Sequence, residues 1–249
     1  MSTSTILDLT PKNVWKHFHA LTQIPRPTGQ MKEVSEYILK AGETLNLEVK
    51  QDELGNIVIV KPATKGYESK NSIILQAHLD MVPQKNADVE HDFTKDPIEA
   101  YIDNDVVRAR ATTLGADNGI GVAMILALLE DNTASHPTIE ALFTIDEEEG
   151  MDGAFGLKEG FVTSKYMLNL DTEEDNELCI GCAGGADMNI TFGYKEDTDI
   201  APGDVAFKLS LTGLKGGHSG AEIHLGRANA NKLMNRFLKE VVKNYEARL

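Results

Sequence analysis

The chain has 249 residues, of which 41% are hydrophobic, enough for one large domain or for one domain and part of another. Its 24 basic and 39 acidic residues give a formal net charge of −15, which argues against nucleic acid and anionic membranes as partners. With only two cysteines, no signal peptide and no apolar run of membrane-spanning length, the sequence predicts a soluble cytoplasmic protein.

Helices and apolar strand runs alternate through the first part of the chain. Thr10 and Pro11 are typical of a helix start, and a second helix is predicted over about residues 30–45. The segment "GIGVAMILALLED" is apolar on nearly all sides and predicts a buried helix. The predicted strands cover residues 56–62, 72–78, 138–146 and 165–171. This alternation predicts an α/β fold, with a mostly parallel mixed sheet between helices.

The sequence pattern changes between Gly184 and Asp187. Beyond this point "DMNITF" and "VAFKLSLTG" alternate apolar and polar residues, as in strands with one exposed face. A long amphipathic helix follows and is predicted to run to Leu249 without a capping signal, which is typical of a sequence that has been cut. We therefore predict one domain over residues 1–185 and the start of a second, α+β domain over residues 186–249.

Three predicted strands end in residues that can bind metal ions. The first ends in His78 and Asp80, another in the acids 146–149, and the last in Asp171, followed by three more acids at 173–175. Asp117 lies in the loop before the buried helix. Because functional groups of open α/β sheets collect at the carboxyl ends of the strands, these side chains are expected to meet.

Such a group of acids is costly unless a cation lies among them, since the carboxylates repel one another. Histidine with aspartate and glutamate suits zinc, and manganese or cobalt less exclusively; several carboxylates suit a two-metal site. Each of these residues, taken alone, has an interpretation without a metal. His78 would be an ordinary core or surface histidine, the acids 146–149 a solvated loop, Asp171 a helix cap and Asp117 part of a turn. The pair Cys179 and Cys182 has metal-ligand spacing, but a single such pair is a weak signal, and packing of small residues is favoured.

Several long motifs together resemble the aminoacyl-histidine dipeptidases, also called Xaa-His dipeptidases, carnosinase-like enzymes or peptidase D. The motifs are "IPRPTG", "LQAHLDMVPQ", "TTLGADNGIGVA", "TIDEEEGMDGAFGL", "LNLDTEE", "IGCAGGAD" and "GLKGGHSGAEIHLGRANANKL". These enzymes belong to the co-catalytic zinc exopeptidases with an inserted lid domain. The resemblance implies a zinc-exopeptidase-like catalytic domain, the start of a lid, a small peptide substrate, and a possible homodimer formed through the lid.

The resemblance also implies a set of metal ligands for two zinc ions. His78 and Asp171 would bind one ion, and Glu148 the other. Asp117 would bridge both ions, with a cis peptide between Asp117 and Asn118. In these relatives the second zinc takes a further histidine from a segment beyond the lid, and no histidine follows His224 here.

The remaining implied roles concern catalysis. Glu147 would be the general base, Asp80 would orient His78, and His218 of the lid would bind the substrate carboxylate or the developing oxyanion. The implied reaction is hydrolysis of Xaa-His dipeptides by a water bridged between two zinc ions. The alternatives are a tripeptide aminopeptidase, a deacylase of N-acyl amino acids, and a truncated metal-binding fragment without activity.

Overall fold

The computed structural model describes residues 5–172, 176–182, 184, 186, 188–196, 198–218, 220 and 222–249. Its backbone separates into two compact units, Met1–Ala183 and Gly184–Leu249. The acids at 173–175, predicted to follow Asp171, lie outside the described residues. Among the residues that are described, no helix is both long enough and apolar enough to cross a membrane.

The first unit contains four α-helices and seven strands among its described residues. In order they are α1 (Lys12–Thr22), α2 (Lys32–Thr44), β1 (Glu48–Gln51), β2 (Ile57–Lys61), β3 (Ile73–His78), β4 (Ala100–Asp103), β5 (Val106–Ala109), α3 (Ala116–Glu130), β6 (Ile139–Thr144), α4 (Asp152–Phe155) and β7 (Tyr166–Asn169). Five strands form one sheet in the order β1-β2-β6-β3-β7, while β4 and β5 form a separate antiparallel pair. The four strands predicted over residues 56–171 and the buried helix are thus confirmed.

The direction of the strands decides where their ends meet. β2 pairs antiparallel with β1 and β6, whereas β3 pairs parallel with both β6 and β7. His78 is opposite Thr144 in the β3–β6 pair, so these strands end side by side. The predicted α/β fold with a mixed sheet is confirmed, and parallel pairing occurs in the three strands that lead to the predicted metal ligands.

The main hydrophobic core lies between the sheet and the first three helices. Phe18 of α1, Ile38 of α2 and Ile125 of α3 are buried there, together with Ala77 and Phe143 of the sheet. Because α3 is apolar on nearly all sides, it packs on several neighbours at once and leaves little polar surface. The helix that carries Asp117 is therefore fixed by the core along its length.

Two helix boundaries differ from those predicted. α1 begins at Lys12, with Pro11 rather than Thr10 at the N-cap position, and the Thr10–Pro11 peptide is cis. α5 (Ala230–Asn244) ends five residues before Leu249, and Glu246 has a φ of +54°. A left-handed residue cannot continue an α-helix, which explains why this helix stops within the chain.

The second unit contains fewer regular elements than predicted. Its described residues form a 3-10 turn, Ile223–Leu225, and α5, whose Asn229 cap accepts a hydrogen bond of 2.9 Å from the Lys232 N–H. The strands predicted from "DMNITF" and "VAFKLSLTG" are not formed in the described part of these segments. Alternating apolar residues define a strand face but form a strand only when a neighbour completes the hydrogen-bond ladder.

Candidate metal centre

Four segments of the first unit converge at one edge of the main sheet. The loops after β3, β6 and β7 begin there because the three strands run parallel. The fourth segment is the N-terminus of α3, which starts at Ala116. Each segment carries at least one predicted site residue, so the topology alone brings residues far apart in sequence to a common place.

The imidazole of His78 lies at the middle of this group and is fully buried. Its Nε2 atom is 2.9 Å from Oδ1 of Asp117, 3.6 Å from Oδ2 of Asp171 and 3.9 Å from Oε2 of Glu147. Carboxylates from three other segments thus face one ring nitrogen. Sequence reasoning expected these residues to meet, and the structure brings them together.

The ligand atoms of three predicted metal-binding side chains lie close together. Ligand atoms of His78, Asp117 and Glu148 all lie within 4.8 Å of one another. An imidazole and two carboxylates form a donor set that zinc, manganese or cobalt accepts. The residues present therefore fit a transition-metal ion.

The second ring nitrogen of His78 faces away from the acids. Nδ1 lies 3.1 Å from the carbonyl oxygen of Asp80 and 3.3 Å from its carboxylate Oδ1. If Nδ1 carries the proton and donates it to Asp80, then the lone pair of Nε2 points to the acids, as a metal ligand requires.

Asp80 connects the site loops through its carboxylate, which is fully buried. Oδ1 accepts the N–H of Glu147 at 3.0 Å, and Oδ2 accepts the N–H of Glu148 at 3.1 Å and the hydroxyl of Thr28 at 2.9 Å. Burial acts to raise the Asp80 pKa, but the hydrogen bonds from His78 and the two amides outweigh it and bring the pKa to about 2. Asp80 is therefore a stable anion at neutral pH.

The glutamates of the site hold protons more tightly than ordinary glutamates. Burial, followed by repulsion from Asp117, raises the pKa of Glu148 to about 7. The pKa of Glu147 is also raised, chiefly by burial. For His78, burial opposes the charged form, yet hydrogen bonds to Asp117, Asp171 and Asp80 raise its pKa to about 12. Protons thus relieve the repulsion that a divalent cation would otherwise offset.

The backbone at the start of α3 has two unusual features. Gly115, just before the helix, has a φ of +70°, and the Asp117–Asn118 peptide is cis. The cis peptide implied by the family resemblance is therefore confirmed. A Cβ at Gly121 would lie 2.7 Å from the carbonyl oxygen of Leu170, so α3 passes close to the residue before Asp171.

Sequence reasoning missed two residues that support the site. Arg26 is buried, and its Nη1 donates to the carbonyl oxygens of Leu79 at 2.9 Å and Asp80 at 3.2 Å. Thr28 donates to the Asp80 carboxylate, as described above. Both lie in "IPRPTG", a motif of the family resemblance to which no site role was given, and no local pattern marks a contact made across 53 residues of sequence.

Two further sets of residues singled out from the sequence belong to other segments of the chain. In the second unit, His218 Nδ1 accepts the N–H of Gly220 at 3.0 Å, and the His218 N–H donates to Glu222 at 2.9 Å. Its role toward substrate stays a prediction. Cys179 and Cys182 are exposed and unbridged, so the prediction that they pack among small residues is wrong.

Comparison with known proteins places the chain in a family. Residues 74–245 match the model of peptidase family M20/M25/M40. The chain is 49% identical over 247 residues to the cytosol non-specific dipeptidase of Escherichia coli (strain K12), covering 99% of this chain and 50% of that protein. The chain thus spans about half the length of this relative.

Solved structures show the same likeness. An aminoacylhistidine dipeptidase from Vibrio alginolyticus aligns with a TM-score of 0.72 at 44% identity, over 94% of this chain and 48% of that one. An aminopeptidase from Bacillus cereus aligns with a TM-score of 0.56 at 26% identity, over 66% of this chain and 44% of that one. The predicted zinc-exopeptidase-like fold is confirmed. From the matched sequence, the shared fold and the cluster around His78, the chain belongs to peptidase family M20/M25/M40.

Proposed function

We propose that the protein is a metal-dependent dipeptidase that hydrolyses Xaa-His dipeptides with two zinc ions. The observation that carries this proposal is the group of ligand atoms from His78, Asp117 and Glu148, all within 4.8 Å of one another. The names of the Escherichia coli and Vibrio alginolyticus relatives support a dipeptide substrate. The name of the former also supports a cytoplasmic location.

Four side chains would hold the ions. His78 and Asp171 would bind one, Glu148 the other, and Asp117 both; the 2.9 Å and 3.6 Å approaches of Asp117 and Asp171 to His78 Nε2 support this set. When bound, the ions would polarise the scissile carbonyl and lower the pKa of the attacking water. Manganese or cobalt would satisfy the same ligands.

Glu147 would act as the general base. Its carboxylate lies on the acid side of His78, 3.9 Å from Nε2, and its own N–H is held by Asp80. Burial raises its pKa above that of an ordinary glutamate, which brings its basicity nearer to that needed at neutral pH. Glu147 would accept the proton of the attacking water and deliver it to the leaving amine.

The second unit would supply substrate contacts and the contact between subunits. His218 would bind the substrate carboxylate or the oxyanion, and the amphipathic α5 belongs to the region through which a homodimer would form. Asp80 would act through His78, holding its ring in the orientation that presents Nε2 to the metal.

A second candidate is broader peptide hydrolysis. The Escherichia coli relative is named a non-specific dipeptidase, and the aligned Bacillus cereus structure is named an aminopeptidase. A panel of Xaa-His dipeptides, other dipeptides, tripeptides and N-acyl amino acids separates these activities. Preference for Xaa-His substrates supports the first proposal, whereas equal rates on all dipeptides support the second.

The general base is tested by Glu147→Gln, with Glu149→Gln as the matched control in the same acidic run. We expect Glu147→Gln to bind zinc like the unaltered chain, measured by elemental analysis after dialysis, while its dipeptide hydrolysis falls by at least about 10²-fold. Glu149→Gln should retain both properties. Zinc binding without hydrolysis by the unaltered chain would support the alternative of a non-catalytic metal-binding protein.

A further inference from the structure

Arg26 is a buried cation that contacts the backbone of two segments of the candidate metal centre. Only 2% of its surface is exposed. Its guanidinium donates to the carbonyl oxygens of Leu79 and Asp80 through Nη1, and to that of Gly115 through Nη2. All three acceptors are backbone atoms, so the side chain holds segments of the main chain in position.

These acceptors belong to two segments that must come together for a metal to bind. Leu79 and Asp80 follow His78 in the loop after β3, whereas Gly115 precedes Asp117 by two residues at the start of α3. The Asp80 carbonyl that accepts from Arg26 also lies 3.1 Å from His78 Nδ1. One planar guanidinium therefore spans the backbones that carry His78 and Asp117.

The fold leaves space for this side chain at two glycines. A Cβ would lie 2.6 Å from Arg26 Nη2 if added at Gly115, and 2.5 Å from it at Gly119. Because neither residue has a side chain, the first turn of α3 approaches the guanidinium closely. Arg26 and the start of α3 thus fit each other in shape as well as through hydrogen bonds.

Stabilisation of the fold alone does not explain a cation at this place. Among the described residues, no carboxylate forms an ion pair or a hydrogen bond with the Arg26 guanidinium, and Arg26 Nε lacks a hydrogen-bond partner. A buried charge with no paired carboxylate carries a desolvation penalty that an apolar residue of similar volume would not. Burial lowers the pKa of Arg26 to about 10, against the attraction of the carboxylates of Asp80, Asp117 and Glu148, so at neutral pH the side chain is still a cation close to these acids.

We propose that Arg26 is a positioning residue of the metal centre, which holds the loop after β3 and the start of α3 at the separation that lets His78 and Asp117 bind the same ion. This inference rests on the proposed metal site. Arg26 itself would contact neither the ion nor the substrate.

The test compares Arg26→Met and Arg26→Lys with a matched control, Lys61→Met, in the full chain. Lys61 is also a buried cation, and it donates to the carbonyl oxygens of Leu128, Leu129 and Asp131 at the opposite end of α3. For each variant, the zinc Kd is measured by chelator competition, the absorption spectrum is recorded with cobalt(II), and the thermal unfolding of the metal-free chain is followed.

We expect Arg26→Met to weaken zinc binding by about 10- to 100-fold and to change the cobalt spectrum. Arg26→Lys, which keeps the charge but loses the planar fork, should restore binding in part. Lys61→Met should lower the unfolding temperature yet leave the zinc Kd and the cobalt spectrum unchanged.

Unaltered zinc Kd and cobalt spectra in Arg26→Met would overturn the proposal; if that variant does not fold, the same result in Arg26→Lys would do so. Equal weakening of zinc binding in Lys61→Met would also overturn it, since the effect would then follow from lost stability. A wild-type chain that bound no zinc would overturn the metal centre itself, and this inference with it.

Discussion

Nε2 of His78 lies 2.9 Å from Oδ1 of Asp117, a hydrogen-bond distance between two atoms that would both be ligands of one ion. In the metal-free protein these two atoms therefore share a hydrogen bond, and this bond is one cause of the raised pKa of His78. A metal ion and the proton of this bond compete for the same lone pair.

The first prediction is that metal binding releases protons. Because the pKa of His78 in the metal-free chain is about 12 and that of Glu148 about 7, at least one proton should leave per chain when zinc binds at pH 7.5. Titration calorimetry in buffers of different ionisation enthalpy measures this number. His19→Asn, on α1, serves as the control and should release as many protons as the wild type. An observed enthalpy that is the same in every buffer would contradict the prediction.

The second prediction concerns Asp80 at low pH in the metal-free chain. Its folded pKa of about 2 lies below the ordinary aspartate value of 3.8, so its charge stabilises the fold above about pH 4 and ceases to do so as the pH falls toward 2. This contribution amounts to about 2 kcal/mol. Urea unfolding of wild type and Asp80→Asn should show a stability gap that widens from pH 2 to pH 4 and is constant above. A gap independent of pH would refute the assignment.

The third prediction tests the Thr28 hydroxyl. Thr28→Val removes the 2.9 Å hydrogen bond to Asp80 Oδ2 while nearly keeping the side-chain volume. Since the acceptor is a buried carboxylate, the free energy of unfolding should fall by about 2 kcal/mol. Thr44→Val removes an exposed hydroxyl bonded to the Lys40 carbonyl and should change it by less than about 0.5 kcal/mol. Equal losses in the two variants would contradict the role given to Thr28.

The fourth prediction concerns the close approach at Gly121. An added Cβ would lie 2.1 Å from Asn118 Oδ1 and 2.7 Å from the Leu170 carbonyl oxygen, which is backbone and cannot rotate away. Gly121→Ala should therefore cost about 1–3 kcal/mol in stability and weaken zinc binding, because Leu170 precedes Asp171. Gly181→Ala, where a Cβ meets no atom of the described residues within 4 Å, is the control. Unchanged zinc affinity in Gly121→Ala would show that Asp171 does not depend on this contact.

Much of the fold of the first unit could be predicted from local sequence patterns. Apolar runs such as "NIVIV" and "SIILQAH" correspond to β2 and β3, and α3 is apolar on nearly every side, so burial alone identified it. The place where the acids meet was also predictable, because the carboxyl ends of parallel strands lie at the same edge of a sheet.

Contacts between distant loops were not predictable. Arg26 and Thr28 bind groups more than 50 residues away, and nothing in their own segment indicates these contacts. The predicted strands of the second unit depended on alternation alone, which does not specify a pairing partner. Local pattern therefore indicated the candidate site residues, whereas the hydrogen bonds that hold them required the three-dimensional structure.

The hydrogen bonds of Asp80 also determine how this edge of the molecule can open. The Asp80 carboxylate accepts the N–H groups of Glu147 and Glu148 and the hydroxyl of Thr28, so neither of these two loops can leave the loop after β3 without breaking a hydrogen bond to a buried anion. Local opening is therefore a single cooperative event. The amide hydrogens of Glu147 and Glu148 should exchange with solvent together, at one common and slow rate, although both residues lie in a loop.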